Sequence, residues 1–194
     1  MNTETMTTES TTTETVRAWV GCLGCYNNGA LNGKWLDADE CGDLVAAGLA
    51  RSGVYFNGSP SELCRRCGAD EFWVMDHEGL PESVLSGECS PCEFAEIAAA
   101  WETVEEPAMV AAYLSWLGER VTGANVQELA ERARDAWTGC ESVTEYAESY
   151  LEESGLLESV PESLRGYFDV SAFARDLELG GDLFETDRYV FWCH

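Results

Sequence analysis

Apolar and polar positions along this chain follow two periods, and the change from one to the other divides it. Val16 to Cys25 (VRAWVGCLGC) is an apolar, β-branched and aromatic run that predicts a strand. Turn signals follow at Asn27-Asn28-Gly29 and Asn32-Gly33, and Trp35-Leu36 begins a second strand. Residues 39–51 read as a short helix with Leu44, Val45, Gly48 and Leu49 on one face, and Val54-Tyr55-Phe56 as a strand closed by Asn57-Gly58. Glu71 to His77 alternates: Phe72, Val74 and Asp76 are expected on one side, and Glu71, Trp73, Met75 and His77 on the other.

Beyond this point the period lengthens. Phe94, Ile97, Ala98 and Trp101 recur at three and four, which predicts a helix over 92–102. Pro107 suits a first helical position, with Met109, Val110, Tyr113, Leu114 and Leu117 as the apolar stripe. Asn125 with Glu128, and Ser142 with Glu145, have capping-box spacing at the starts of two further helices. The first of these buries Val126, Leu129, Ala130 and Trp137; the second buries Val143, Tyr146, Ala147, Tyr150 and Leu151. A short helix runs from Pro161 to Phe168, another from Asp169 to Leu179 until Gly180-Gly181 stops it, and Arg188 to Cys193 is a final strand. The pattern predicts an α+β protein, an elongated array of small α/β domains. Its N-terminal part is sheet plus helix and its C-terminal part mainly helical with a final strand. The expected segments are 1–15, a Thr/Glu-rich disordered leader; 16–58, a small α/β domain; 59–103, a middle α/β domain; and 104–194, an acidic, mostly helical domain.

Composition narrows what such a protein does. The 194 residues include 36 Asp and Glu against 11 Lys and Arg, a formal charge of −25. That charge argues against direct binding to nucleic-acid phosphates or anionic membranes, and favours a basic partner. No apolar stretch is long enough to span a bilayer, and residues 1–15 lack the basic and apolar regions of an export signal. The expected compartment is therefore the reducing cytoplasm, where the nine cysteines would not form disulfides.

Cysteine spacing is the sharpest local motif. Cys64-Arg-Arg-Cys67 and Cys89-Ser-Pro-Cys92 are two C-x2-C pairs. Two such knuckles supply the four thiolates that tetrahedral zinc requires, so a structural zinc site is expected in the middle segment. Cys22-Leu-Gly-Cys25 is a third pair, but it falls inside a predicted strand, where burial is the simpler role. Cys41, Cys140 and Cys193 read as packing residues. The case for catalysis is thin. There are two histidines, His77 and His194, and one lysine, Lys34, and no nucleophile-elbow, phosphate-loop or dinucleotide motif. Asp76 and His77 are adjacent on a strand and so face opposite sides.

The acidic side chains are ordered as well as abundant. From residue 102 onward there are 20 acidic and six basic residues. Glu141, Glu145, Glu148 and Glu152, spaced at four, three and four, make a carboxylate stripe opposite the apolar one, with Glu153 beside it. Glu128, Glu131 and Asp135 repeat this on the preceding helix. A solvated helix face normally mixes signs, because like charges at this spacing cost a few tenths of a kcal/mol per pair. Carboxylates and phosphates are both monoanionic oxygen acceptors. At one charge per ~1.7 Å of duplex axis, −25 corresponds to about 42 Å of DNA, or about 12 base pairs.

Three stretches resemble the ArdA antirestriction family. They are Val20-Gly-Cys-Leu-Gly-Cys-Tyr-Asn-Asn-Gly29 with Gly33-Lys-Trp-Leu-Asp37; Glu71-Phe-Trp-Val-Met-Asp-His-Glu-Gly79; and Pro161-Glu-Ser-Leu-Arg-Gly-Tyr-Phe-Asp169 with Ala172–Leu179 and Tyr189-Val-Phe191. The resemblance implies an elongated, usually dimeric DNA mimic without catalytic residues, borne by phages and mobile elements. Such a protein would act in the cytoplasm of a bacterial host. It would occupy the DNA-binding groove of type I restriction–modification enzymes, chiefly the methyltransferase core, and so protect incoming foreign DNA. Binding would be spread over many carboxylates. The expected mimetic surface is Glu128, Glu131, Asp135, Glu141, Glu145, Glu148, Glu152 and Glu153, with Asp169, Asp176 and Glu178 shaping either that surface or the dimer contact. The Cys64/Cys67/Cys89/Cys92 set and the leader depart from the family pattern. The alternative reading is an acidic interaction module, containing a zinc ribbon, that binds a basic protein without mimicking DNA.

Overall fold

Strand β1 (Arg17–Cys22) is the centre of a three-stranded antiparallel sheet, because both neighbours hydrogen-bond to it. On one side lies β2 (Gly33–Asp37), and on the other β3 (Phe72–Glu78). This computed structural model describes residues 15–43, 71–85, 87–186 and 188–193. The expected leader, most of the helix expected over 39–51 and the strand expected at 54–56 lie outside those residues. The fold is α+β, with strands and helices in the N-terminal part and a mostly helical C-terminal part that ends in strands. No described helix is long and apolar enough to cross a membrane.

The chain forms two compact units. The first comprises described residues up to Leu80 together with Gly87–Ala98. β1 ends earlier than the apolar run predicts. At Cys22 the chain turns into the short helix α1 (Leu23–Asn27), because local polar groups take over from the ladder. Asn28 Nδ2 donates to the Gly24 carbonyl at 2.7 Å, and Cys22 N–H to the Asn32 carbonyl at 2.9 Å. Helix α2 (Ala38–Asp43) follows β2 directly, and Val74 of β3 is bridged by Cys89, just before helix α3 (Pro91–Trp101). Ala18, Val20, Leu36 and Val74 bury one face of the sheet; Phe94 and Ile97 of α3 are also buried. β3 comes from the stretch read as a middle segment and pairs with the first strand of the stretch before it.

The β1–β3 register corrects one expectation. Trp19 pairs with Asp76 and Val20 with Val74, so Met75 is an extra residue, a β-bulge. Paired residues share a face, and the bulge reverses the simple alternation from residue 76 onward. Asp76 therefore joins Trp73 and Trp19 on the outer face, not Val74 on the inner one. His77, opposite Ala18, turns inward, where its Nδ1 is buried.

The second unit comprises Pro81–Leu85 and the described residues from Ala99 on. Helix α4 (Pro107–Leu117) has Pro at its start and buries Met109, Val110, Tyr113 and Leu114. Helix α5 (Val126–Ala136) buries Val126, Leu129, Ala130, Ala133 and Ala136. The expected capping box at its start does not form. Asn125 sits in helical backbone geometry, so its Oδ1 turns back to accept from Thr122 N–H at 2.7 Å. Helix α6 (Val143–Ser154) does have its cap, with Ser142 Oγ accepting from Glu145 N–H at 3.1 Å. A 3-10 turn (Leu156–Ser159) and the short helix α7 (Glu162–Arg165) lead to α8 (Val170–Gly180), which packs against α6. Asp169 caps α8, and Gly181 ends it in the left-handed region at φ 80°.

The chain then closes with a hairpin, where the pattern predicted one strand. β4 (Leu183–Thr186) pairs antiparallel with β5 (Tyr189–Trp192). β4 is short and carries one buried residue, Leu183, so it leaves almost no alternation to read. Residues 137–140 extend this sheet: Trp137 bridges Phe191, Thr138 N–H donates to the Val190 carbonyl at 2.9 Å, and Val190 N–H donates to the Cys140 carbonyl. Val143, Ala147, Ala174, Leu183 and Val190 form one core cluster. Tyr113, Trp116, Phe184 and Phe191 form an aromatic stack, closest at 4.1 Å between Trp116 and Phe184.

On the outer face of the first sheet, Gly33 lies opposite Gly21, and the Trp19 indole covers both. A Cβ on Gly33 would come 2.5 Å from the Val20 carbonyl oxygen and 2.6 Å from Trp19 Cη2. The backbone atom cannot yield as a side chain can. Gly33→Ala is therefore expected to destabilise the protein by about 1–3 kcal/mol, read as a lowered urea midpoint. An unchanged midpoint would show that the sheet tolerates the methyl group.

Candidate functional site: acidic helix faces

The acidic stripes follow from helix geometry. On α6 the buried residues are Val143, Ala147 and Leu151, so Glu145, Glu148 and Glu152 stand on the far side, all exposed. Their rise along the axis is about 4.5 and about 6 Å at 1.5 Å per residue, against 3.4 Å per phosphate along one DNA strand. On α5, Glu128, Glu131 and Asp135 are exposed opposite Leu129, Ala130 and Ala133. Glu141, Glu153, Asp169, Asp176 and Glu178 are exposed too. All eleven carboxylates of the expected surface thus face solvent, on α5, α6 and α8 or at their starts.

Three of them also have local work. Glu145 Oε2 accepts from Glu141 N–H at 2.7 Å, Asp169 Oδ1 from Ala172 N–H at 2.9 Å, and Glu141 pairs with Arg188 at 3.3 Å. The other eight have no ion-pair partner among the described residues. The two arginines of α5 are engaged elsewhere. Arg132 and Arg134, both on α5, pair with Glu119 at 2.9 Å and with Glu105 at 3.5 Å. The hydrogen bonds from Arg132 hold Glu119 below the usual carboxylate range. Arg165 donates to the Val160 and Glu158 carbonyls, tying the turn before α7. On α8 the face is mixed, since Arg175 stands one turn before Glu178.

The thiols are quiet. Burial, reinforced first by Glu40, pushes the Cys41 thiol up to about 12. Burial also raises Cys140 and Cys193, with Asp182 adding to the latter. Such thiols are neutral near pH 7 and poor nucleophiles. Cys22 and Cys25 are both buried, but at a strand–helix junction rather than inside a strand. Of the expected zinc ligands, Cys64 and Cys67 lie outside the described residues. Cys89 is buried at the bridge to Val74; Cys92, in the first turn of α3, lies with Sγ 3.6 Å from Glu96 Oε1 and is raised by burial and by that carboxylate. Among the described residues no three His, Cys, Asp or Glu side chains are grouped to hold a metal. Asp76 Oδ1 accepts from the His77 backbone N–H at 2.8 Å, and the two side chains lie on opposite faces of the sheet, so no acid–base pair forms.

The scaffold is α+β, and carboxylates are displayed on its successive helices α5, α6 and α8. Residues 18–191 match the family model described as Antirestriction protein (ArdA). The chain belongs to this antirestriction family. Among curated proteins none matches it.

The local roles separate two kinds of carboxylate. Asp169→Ala removes a helix cap and is expected to cost about 1 kcal/mol. Asp176→Asn and Glu178→Gln, on the open part of the same helix, are expected to stay within about 0.5 kcal/mol. Urea unfolding of the three variants checks this; equal losses would place Asp176 or Glu178 in a contact that holds the fold.

Proposed function

We propose that this antirestriction protein acts as a DNA mimic, occupying the DNA-binding groove of a type I restriction–modification enzyme at its methyltransferase core. The observation that carries the reading is the run of exposed carboxylates on α5 and α6, seven of the eleven expected residues, with the α5 arginines drawn off to Glu105 and Glu119. A groove built for phosphates offers lysines and arginines at close spacing, and its affinity falls steeply with salt. The mimic needs no catalytic group of its own, so the proposed role is that of an inhibitor and not an enzyme. A homodimer belongs to the same proposal. The turn around α7 exposes Leu156, Leu164 and Tyr167, the last 85% exposed, as a contact surface needs.

The test is displacement of labelled duplex from a purified type I methyltransferase at two salt concentrations. Stoichiometric, salt-sensitive displacement is expected. Glu148→Gln alone is expected to weaken it less than about threefold, whereas Glu128, Glu131, Glu148 and Glu152 all changed to Lys weaken it by roughly a hundredfold or more. A partner that binds this protein and duplex DNA together would instead support the acidic interaction module. Loss of inhibition from Glu148→Gln in a folded protein would overturn the distributed-charge reading.

A structural zinc on Cys64, Cys67, Cys89 and Cys92 is also proposed, on the spacing of the two C-x2-C pairs. Purified protein is expected to carry one zinc per chain, and Cys92→Ser to lose it. Metal-free, equally stable protein would remove zinc from the account.

A further inference from the structure

We infer that the outer face of the first unit's sheet is a recognition cleft for an arginine side chain of a partner protein. The cleft has a volume of about 660 Å³. Trp19, Trp35 and Trp73, one from each strand, line it, and Met75, the bulge residue of β3, lies over Gly21 of β1. None of the three indoles is buried, while Tyr26 and Leu31 at the edge are 55% and 77% exposed. Three half-buried tryptophans on one small sheet, with the exposed Tyr26 of α1 beside them, are more than the fold needs, since the opposite face supplies the core.

Charge selects the occupant. Asp76 and Glu88 stand at the rim, both exposed, and neither has an ion-pair partner among the described residues. Asp76 reaches this face only because of the bulge at Met75. An aromatic cleft with two open carboxylates repels anions and attracts a cation that can also stack. Guanidinium does both: its plane lies flat on an indole, and its fork of N–H groups meets a carboxylate with two bonds. The same sheet already shows this arrangement. Arg17 lies over the Trp35 ring at 5.1 Å and binds Glu78 at 2.7 Å. Trp19 and Trp73 with Asp76 and Glu88 repeat those ingredients with no cation among the described residues to complete them.

The cleft is made of residues separate from the carboxylates of α5, α6 and α8. The proposal goes beyond the mimic reading and does not rest on it: a guanidinium from any basic partner would fit.

The test titrates the full chain with the peptide Gly-Arg-Gly, and with its Lys and citrulline counterparts, at about 0.15 M salt. The indole N–H signals of the tryptophans are followed by NMR. The Arg peptide is expected to bind saturably and to shift Trp19 and Trp73. It should bind roughly three- to thirtyfold tighter than the citrulline peptide, and tighter than the Lys peptide. Asp76→Asn with Glu88→Gln should weaken it about tenfold without moving the urea midpoint, because both side chains are exposed and Asn keeps the acceptor for His77 N–H. The four-lysine variant on α5 and α6 should bind the peptide as well as the parent does. Equal binding of Arg and Lys peptides without indole shifts would reduce the effect to the general pull of the negative charge and overturn the proposal. Citrulline binding as tight as arginine would make the cleft an apolar groove for another occupant, and so overturn it too. Absence of saturable binding up to about 10 mM peptide would do the same. None of these outcomes bears on displacement of DNA from the methyltransferase.

Discussion

Repulsion between like charges constrains everything else in this molecule. Carboxylates outnumber cationic side chains by 36 to 11, so most of them have no cation to pair with. The fold answers by separating two tasks. Apolar and aromatic side chains hold each unit together, and no polar or charged residue is counted in the described core. Carboxylates are left on the outside, where water screens them. Three arginines of the second unit, Arg132, Arg134 and Arg165, fasten loops and helices to one another instead of neutralising the α5 and α6 faces. Glu119–Arg132 and Glu105–Arg134 link α5 to the segments before it, and Arg165 closes a turn through backbone carbonyls.

Much of this was legible in the sequence where one helix face is buried. The helices at 91–101, 107–117, 143–154 and 170–180 fall where the apolar period and the Pro, Ser, Asp and Gly signals put them. The carboxylate faces follow from the same period, since whatever lies opposite a buried stripe must face solvent. What escaped was governed by contacts the period does not encode. Asn125 has the residue type and spacing of a cap, yet the turn from Thr122 captured its side chain. Leu183–Thr186 has one buried position and four residues, too short for a pattern, and forms a strand because β5 comes back beside it.

The outer face of the first sheet is the more instructive miss. Strict alternation puts Asp76 with Val74, and one extra residue at Met75 puts it with Trp73 instead. A bulge leaves no mark in composition, but it decides which chemistry shares a face. The Trp-Val-Gly and Gly-Lys-Trp runs carried a hint: each tryptophan stands two residues from a glycine on its own side of the strand, and those glycines give the Trp19 ring room to lie flat.

The stitching of residues 137–140 to β5 has a consequence for how the second unit is assembled. Thr138 and Val190, whose hydrogen bonds join that edge, are 52 positions apart. Between them lie α6, the 3-10 turn, α7, α8 and β4. A helix draws its hydrogen bonds from neighbouring residues, but this sheet cannot form until the whole intervening chain has been delivered. During synthesis Trp137 lacks its bridge to Phe191 until that residue has been made. The seam between residues 137–140 and β5 can therefore close only after every element that lies between them has been made.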